Sequence, residues 1–321
     1  GDLPDLKALS IQDNRLTDES LGPILRACCN CKALKKLDVG GNKMDEDASE
    51  AMGELLAHYN CNIEELGMCK ADVDDGECAE LIEKLGDNIS VQSLDLSSNL
   101  IGIGEVINIV DPDFDTGGEA IAEMLEKGSN LTYLNLAWNL IRSDSARQLG
   151  EALNVNQTLV SLDLSYNAFG DAGGQAIGGA LFTNNTLRRL NLSNNAIPCR
   201  AAYSLAAGCR HNTSLEDLNL QGNPIGDIGG RALMQVPMDC HDRVAVHLEG
   251  CDMTVKDNNF FIDATTQLPR EPEAILKYPG DIDNKYTFDL SVPYRRAMAL
   301  DIFRIVAEEP GFLIEDCKLD G

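Results

Sequence analysis

Four side chains near the start of the chain have the spacing of a zinc site. Cys28 and Cys31 form a Cys-x-x-Cys pair, and His58 and Cys61 follow as a His-x-x-Cys pair. Zinc takes four such ligands in tetrahedral geometry, so the residue types are compatible with a structural ion. The two pairs can meet only if the chain brings them to the same end of neighbouring elements.

Motifs for catalysis and phosphate binding are absent from the sequence. It has no His-Glu-x-x-His, no Gly-x-Ser-x-Gly, no Gly-Lys-Ser/Thr after a glycine loop and no second Cys-x-x-Cys pair. Glycine pairs at 117–118, 173–174 and 229–230 share one register, but without a following Gly-Lys-Ser/Thr they are a weak phosphate signal. We therefore predict a protein that is not an enzyme and carries no cofactor and no metal.

A leucine-rich template repeats along the chain and supplies the elements that position every candidate residue. The pattern L-x-x-L-x-L-x-x-N-x-L begins nine times, at Leu6, Leu34, Ile63, Val91, Leu131, Leu159, Leu187, Leu215 and, in degraded form, Arg243. The intervals are 28, 29, 28, 40, 28, 28, 28 and 28 residues. A sustained period of this length indicates a solenoid, in which stacked units bury a continuous core.

With these residues the chain resembles leucine-rich-repeat proteins of the long, helix-bearing subtype. That subtype is seen in ribonuclease inhibitor, in the Ran GTPase-activating protein and in NOD-like receptor sensor domains. The resemblance covers about residues 3–253. It implies an α/β solenoid, shaped as a horseshoe, with a concave parallel sheet and convex helices, and it does not imply one activity.

The register separates structural side chains from candidate ones. Template positions 1, 4 and 6 are predicted to point into the core, and a helix such as 171–181 is predicted to bury Ala172, Ala176, Ile177, Ala180 and Leu181. Position 9 is an asparagine that we predict to bond backbone groups at the turn. It is present as Asn14, Asn42, Asn99, Asn139, Asn167, Asn195 and Asn223. Ala71 and Cys251 interrupt the column, which predicts looser turns there.

The same register offers structural interpretations of the cysteines and the glycine pairs. An asparagine stands three residues before the repeats that begin at Val91, Leu159, Leu187 and Leu215, and Cys31 and Cys240 take its place elsewhere. This favours cysteines that replace an asparagine over cysteines that bind zinc. The glycine pairs fall where helices begin, which favours close helix packing over phosphate binding.

The outward positions of the strands contain the candidate binding residues. Positions 3, 5 and 7 alternate away from the core, and position 8 lies at the rim. These positions are polar, apart from Tyr133, the only tryptophan Trp138, and Tyr166 in the next repeat. Adjacent strands lie roughly 4.8 Å apart, so Trp138 and Tyr166 can touch. Together with Arg189 and Asp163 they resemble a binding hot spot, although an aromatic pair that merely shields the rim is an equal alternative.

The fourth repeat carries a 12-residue insertion at 103–114, without which its interval returns to 28 residues. The insertion is unusually apolar for a surface loop. Its candidate partner-binding residues are Ile103, Val106, Ile107, Ile109, Val110 and Phe114. We predict that it leaves the solenoid between strand and helix, on the rim that carries Trp138. It either folds back as a small apolar cluster or anchors a partner.

Two segments adjoin the repeats. We predict a nine-repeat solenoid over 1–253, followed by a C-terminal cap or extension over 254–321 with a strand at about 286–290 and a helix at about 293–309. Terminal repeats of a solenoid need a cap. No amphipathic cap precedes Leu6, so the first repeat is predicted to have a bare edge, and the chain is predicted to be part of a longer protein.

Composition narrows the class of partner. The formal net charge of −26 opposes sequence-independent binding of nucleic acid and docking on anionic lipid, and it favours a basic protein. No apolar stretch approaches the roughly 20 residues of a membrane span. The 11 cysteines are odd in number and irregularly spaced, which predicts reduced thiols in an intracellular compartment, either cytoplasmic or within a cytoskeletal or organellar assembly.

These observations favour a non-catalytic scaffold or structural subunit of a larger complex, binding protein partners through the concave face and rim. The alternative is a regulator of another enzyme. That regulator would be an inhibitor like ribonuclease inhibitor, or a GTPase-activating protein like the Ran activator. The Ran activator pattern is associated with a long acidic tail, whereas residues 254–321 are mixed in sign.

Overall fold

The computed structural model describes residues 5–106, 116–241 and 243–251, and the predicted C-terminal strand and helix lie outside them. The strands are Ala8–Ser10 (β1), Lys36–Asp38 (β2), Glu65–Gly67 (β3), Ser93–Asp95 (β4), Tyr133–Asn135 (β5), Ser161–Asp163 (β6), Arg189–Asn191 (β7), Asp217–Asn219 (β8) and Ala245–His247 (β9). The helices are Asp18–Cys28 (α1), Glu46–Ala57 (α2), Asp75–Gly86 (α3), Ile103–Val106 (α4), Gly117–Lys127 (α5), Ser143–Ala152 (α6), Gly170–Ala180 (α7), Cys199–His211 (α8) and Gly226–Asp239 (α9).

The strands form one parallel sheet in sequence order, from β1 to β9. Equal template positions pair throughout, and the pairing survives the 40-residue interval, since Ser93 lies opposite Tyr133 and Asp95 opposite Asn135. The helices pack side by side against their neighbours in the next repeat. The predicted α/β leucine-rich-repeat solenoid and its register are thus confirmed.

The core is a continuous layer of aliphatic side chains between sheet and helices. In the sixth repeat, Leu159, Leu162 and Leu164 are buried at template positions 1, 4 and 6. Phe169 is among the largest fully buried side chains and fills the space under the start of α7. Alternation along each short strand sends these side chains inward and positions 3 and 5 outward.

The position 9 asparagines join each repeat to the one before it. Asn99 donates from Nδ2 to the carbonyls of Met68 and Leu96, both at 2.9 Å, and its Oδ1 accepts from the N–H groups of Ala71 and Val73. The predicted bonding of turn backbone is therefore confirmed. At Cys251 the thiol donates to Leu220 O at 3.1 Å, the carbonyl that an asparagine amide reaches in other repeats.

A second polar column lies where the helices return to the sheet. Asn184 donates to Leu153 O, and Asn212 donates to Leu181 O, each at 2.9 Å and 31 residues apart. Cys240 Sγ contacts Cys209 O at 3.5 Å with the same separation. The prediction that Cys240 replaces an asparagine in this column is confirmed by that bond.

The glycine pairs allow neighbouring helices to approach closely. A Cβ on Gly173 would lie 3.0 Å from Ala146 Cβ of the preceding helix, and a Cβ on Gly174 would lie 2.7 Å from Ala201 Cβ of the following one. Gly117 and Gly118 are enclosed in the same way. The pairs therefore serve helix packing, and they occupy the buried face on which Ala172 was expected. Ala172 itself is exposed, so that part of the helical-face prediction was wrong.

The first repeat is less enclosed than the later ones. Leu6, Leu9 and Ile11 are only partly buried, whereas the corresponding side chains of the second repeat are fully buried. Within the described residues β1 has a strand neighbour on one side only. These partly buried side chains are the ones for which the sequence predicts a bare edge.

Candidate protein-interaction surface

Position 8 of the template adopts a left-handed backbone in all nine repeats. The values of φ lie between 54° and 69°, whether the residue is glycine, as at Gly41, Gly222 and Gly250, or a bulky residue such as Trp138 or Tyr166. This backbone geometry arises because the chain leaves the sheet at position 8, while the N–H of the position 8 residue still donates to a carbonyl of the next repeat. Trp138 N donates to Ser165 O at 2.9 Å, for example. We call these nine residues the left-handed column.

Trp138 and Tyr166 form a parallel stack within this column. Their ring centroids are 3.8 Å apart and the planes differ by 9°. The predicted contact between the two rings is therefore present. Yet 57% of Trp138 and 41% of Tyr166 remain exposed, which is unusual for a stacked aromatic pair. We call this pair the aromatic stack.

The neighbours in the column leave both outer faces of the aromatic stack open. Ser98 precedes Trp138 in the column, and its side chain is too small to cover an indole. Asn194 follows Tyr166, but its amide lies over Gly222, where an added Cβ would come 2.3 Å from Asn194 Oδ1. The stack therefore continues in neither direction, and a planar group could extend it.

Other exposed apolar side chains gather at this end of the strands. Leu100 is 38% exposed and Val106 is 42% exposed, so that the fourth to sixth repeats present these two apolar side chains in addition to the aromatic stack. We call Leu100, Val106, Trp138 and Tyr166 the aromatic ridge. Elsewhere in the described residues, the large exposed apolar side chains are Tyr59, Ile89, Val155 and Met238.

The insertion leaves the solenoid from the predicted place, between β4 and α5. Its described part is α4, which contains Ile103 and Val106; Ile107, Ile109, Val110 and Phe114 lie outside the described residues. Glu105 of α4 accepts from Ser145 N at 3.0 Å, and this contact caps α6 of the next repeat. Burial raises the pKa of Glu105, while the bond from Ser145 opposes that rise.

A buried carboxylate that the sequence did not single out holds the two ends of the insertion. Asp75 is 2% exposed and accepts from the N–H groups of Gly102 at 2.7 Å, Gly104 at 2.8 Å and Gly117 at 2.8 Å. The first two glycines stand at the start of the insertion and the third follows it. No local pattern around Asp75 predicts this role, because the partners are 27 to 42 residues away.

The outward position 5 is more structural than the sequence suggested. Asp163 Oδ1 accepts from Ser165 N at 2.9 Å and from Ser165 Oγ at 2.7 Å, and its Oδ2 accepts from Asn191 Nδ2 at 2.9 Å. Both carboxylate oxygens are thus engaged within the protein. Asp38 and Asp95 make the same turn through Oδ1, to Gly40 N at 3.0 Å and Ser97 N at 2.9 Å.

Arg189 and Tyr133 lie away from the aromatic stack. Both occupy position 3 and flank Ser161 in the sheet, and Arg189 Nε is 3.5 Å from Ser161 Oγ. Five template positions separate this row from the left-handed column, or roughly 15 Å along the strand direction. Arg189 and Tyr133 therefore occupy a different row of the sheet from the aromatic stack, because the register places both at template position 3.

Tyr133 belongs instead to a groove on the outward face of the sheet. The groove has a volume of about 600 Å³, and its lining includes Asp38, Gly67, Asp95 and Tyr133. Burial raises the pKa of Tyr133, and the carboxylates of Asp95 and Asp163 raise it further. Lys36 lines the groove too, but it forms an ion pair with Glu65 at 2.7 Å. The groove is therefore predominantly acidic.

The cysteine and histidine side chains proposed for zinc have other contacts. Cys61 Sγ lies 3.7 Å from Asn88 Nδ2, Cys31 Sγ lies 3.9 Å from Ala27 O, and His58 Nδ1 accepts from Asn60 N. Burial raises the pKa of the Cys28 thiol to about 11, which disfavours the thiolate that a metal requires. In the parts of the chain that the structure describes, no three His, Cys, Asp or Glu residues are arranged to hold a metal ion.

None of the described helices combines the length and apolar character needed to span a bilayer.

Comparisons with known proteins match parts of this chain to leucine-rich repeats. The family model described as "Leucine Rich repeat" matches residues 155–178, 183–197 and 211–234. Ribonuclease inhibitor of Sus scrofa is 27% identical and aligns with 46% of this chain and 36% of its own length. NACHT, LRR and PYD domains-containing protein 14 of Mus musculus is 26% identical over 33% of this chain and 11% of its own length.

Among solved structures, an internalin from Listeria monocytogenes is similar with a TM-score of 0.44 and 17% identity, covering 71% of this chain and 58% of that one. The alignments with the two curated relatives cover only 36% and 11% of those relatives' own lengths. Leucine-rich-repeat proteins generally mediate protein–protein interaction, and members of this family are typically non-catalytic.

Proposed function

We propose, from the premise that this chain is a leucine-rich-repeat protein of the ribonuclease-inhibitor-like kind, that it is a non-catalytic interaction scaffold. The proposed interface comprises the concave face of the sheet and the aromatic ridge. The observation that carries the proposal is the exposed aromatic stack, held at two positions of the left-handed column.

The stability of the fold does not require tryptophan and tyrosine at these two positions. A left-handed backbone is unfavourable by about 1–2 kcal/mol for residues with a Cβ, whereas glycine adopts it freely. Three repeats place glycine at position 8, so the fold accepts glycine there. Exposed tryptophan and tyrosine are, however, the residues that contribute most to protein interfaces. Partner binding therefore accounts for side chains that the solenoid does not require.

The charge of the molecule supports a basic partner. The chain carries a net charge of −26, and the groove beside β2, β3 and β4 contains Asp38 and Asp95, whereas its Lys36 is paired with Glu65. Opposite charge accelerates encounter and disfavours acidic competitors. We include in the proposal membership of a larger complex and, from the irregular cysteine spacing, a reducing compartment.

Affinity capture with matched bait variants tests the proposed surface. The double variant Trp138→Gly/Tyr166→Gly removes the aromatic stack and keeps the backbone geometry. We expect it to recover about tenfold less of the specific partner, equivalent to about 1.4 kcal/mol. The control is Tyr59→Ser, which removes an aromatic side chain that is 88% exposed away from the ridge.

A second bait lacks residues 103–114, which returns the fourth repeat from 40 to 28 residues. We expect this variant to fold, because Asp75 keeps its bonds to Gly102 and Gly117. It should also lose partner if the insertion is an anchor. If both baits fold and recover the same proteins as the wild type, the ridge is not the interface. The bare edge at β1 then becomes the better candidate.

The alternative is an inhibitor of another enzyme, which the match to ribonuclease inhibitor favours. Once a partner has been captured, its activity with and without saturating amounts of this protein separates the two functions. A scaffold leaves the turnover of the partner unchanged, whereas an inhibitor reduces it in proportion to complex formation.

A further inference from the structure

The aromatic stack has one face that is better suited to a ligand than the other. On the Trp138 side the column continues with Ser98, and the indole is the most exposed ring of the ridge. We infer that this face of Trp138 receives an arginine side chain from a basic segment of the partner. The inference deepens the proposed function and rests on it.

The first argument is shape. Repeats are spaced by roughly 4.8 Å at the sheet, and the two rings stack at 3.8 Å, so each column position offers room for one planar layer. Ser98 fills little of its layer. A planar group placed over Ser98 would lie against the open face of the Trp138 ring and add a third layer to the aromatic stack. Guanidinium is planar and stacks on aromatic faces, and tryptophan is the best acceptor of a cation.

The second argument is the distribution of carboxylate oxygens. Asp95 lies three residues before Ser98, and only its Oδ1 is engaged, to Ser97 N. Asp95 Oδ2 has no hydrogen-bond partner among the residues that the structure describes. On the Tyr166 side, both oxygens of Asp163 are already taken by Ser165 and Asn191. Of these two position 5 carboxylates, only Asp95, in the repeat that contains Ser98, therefore keeps an oxygen for an incoming cation.

These two features together select arginine among possible side chains. An apolar side chain over Ser98 could not use the free oxygen of Asp95, and the net charge of −26 favours a cation. A lysine would satisfy the charge but could not stack as a plane. Lys70 precedes Ser98 in the column, and none of the ion pairs among the described residues includes it. Its charge opposes an incoming arginine, so Lys70→Ala is expected to tighten binding.

Intrinsic fluorescence tests this inference directly, because Trp138 is the only tryptophan of the chain. The probes are three short Gly/Ser peptides that carry two arginines, two lysines or two citrullines at the same positions. At about 0.15 M salt, where diffuse charge is screened, the arginine peptide should change the emission saturably. The lysine peptide should bind several-fold more weakly, and the citrulline peptide should give no saturable change.

Asp95→Asn provides the discriminating variant, with Asp38→Asn as its matched control. Both lose one negative charge at template position 5, and both keep the turn through Oδ1. We expect Asp95→Asn to weaken the arginine peptide about tenfold and Asp38→Asn to leave it nearly unchanged. Circular dichroism verifies that each variant is folded.

Two results would overturn the inference. Equal binding of the arginine and lysine peptides, or equal weakening by the two Asn variants, would show attraction by diffuse charge alone. The absence of a saturable change up to about 10 mM peptide, beyond the range of weak specific binding, would show that the face takes no arginine. Neither result depends on the affinity capture experiment, so the proposed function and the inference about arginine are tested separately.

Discussion

At the scale of the residue, the left-handed column shows how one backbone geometry accepts very different side chains. Glycine, serine, asparagine, lysine, tryptophan and tyrosine all occupy it with φ between 54° and 69°. The bond from each N–H to the next repeat fixes the backbone, and the side chain then projects from the rim. Side-chain identity in this column is thus independent of the core.

Replacing Trp138 by glycine or by alanine isolates the backbone contribution. Both variants lose the aromatic stack equally, but only alanine keeps a Cβ at φ 57°. We expect the glycine variant to be more stable to urea by about 1 kcal/mol. The control is Ala172→Gly in α7, where the preference should reverse, because glycine is unfavourable in a helix by about 1 kcal/mol. Equal stability of the two Trp138 variants would contradict the argument.

Sequence reasoning identified the contact within the aromatic stack but not the bonds made by Asp163 and Arg189. Two aromatics at one template position in consecutive repeats must be neighbours, so their contact follows from the period. Asp163 and Arg189 looked similar to them only because all are outward-facing. The structure shows Asp163 engaged in a turn and Arg189 in the middle of the sheet. Bonds between an aspartate and the N–H two residues later leave no periodic signal that differs from a free carboxylate.

At the scale of the element, the 12-residue insertion is accommodated by groups that belong to neighbouring repeats. Asp75, at the start of α3, binds both of its ends, and Glu105 within it caps α6. The period of the sequence predicts where the insertion leaves, because removing it restores the register. The same period cannot predict Asp75, since no other repeat needs such a residue.

Asp75→Ala should destabilise the protein by at least about 2 kcal/mol, because three buried N–H groups lose their acceptor. Amide hydrogen exchange should accelerate most at Gly102, Gly104 and Gly117. Asp87→Ala removes an exposed carboxylate at the other end of α3 and is expected to change stability by less than about 0.5 kcal/mol. Unchanged exchange at the three glycines in Asp75→Ala would rule out the anchoring role.

The capping box at the start of α3 should make stability depend on pH. Burial, together with the nearby carboxylate of Asp74, raises the pKa of Glu77 from 4.5 to about 7. The folded state therefore holds a proton that the unfolded state releases, and stability should fall as the pH rises from 4.5 to about 7. The pKa of Asp74 is lowered by its bond with Glu77, so its own contribution is lost only at more acidic pH.

Melting temperatures across this interval, for the wild type and Glu77→Gln, test the sign. Glutamine can still accept from Asp74 N but does not titrate. We expect the wild type to lose stability relative to Glu77→Gln as the pH rises through about 7. Parallel profiles would show that Glu77 has an ordinary pKa.

At the scale of the whole molecule, the described solenoid is held together by contacts between neighbours only. Each strand pairs with the next, and position 9 asparagines such as Asn99 connect two consecutive repeats. The sequence predicts this plan well, because leucines and asparagines recur at fixed intervals. The leucines of the first repeat are only partly buried, because no preceding repeat packs against them among the described residues.

Leu164→Ala tests the core register. Leu164 is fully buried at template position 6, so the variant should lose about 2–5 kcal/mol in urea unfolding. Val155→Ala, at an exposed site in the preceding repeat, should change stability by less than about 0.5 kcal/mol. If Leu164→Ala unfolds like the wild type, the assignment of position 6 to the core is incorrect.

The order of the strands has a mechanical consequence. The hydrogen bonds between parallel strands run along the stacking direction. Tension applied to the two ends of the solenoid therefore acts first on the outermost strand, whose hydrogen bonds break before those of the inner strands. Repeats should detach one after another at low force. Each 28-residue repeat then releases roughly 9 nm of chain, whereas the fourth, with its 40 residues, releases roughly 13 nm. In a force–extension measurement, one long step among shorter, equal steps would identify the unfolding of the fourth repeat, in which the bonds between Asp75 and the two ends of the insertion break.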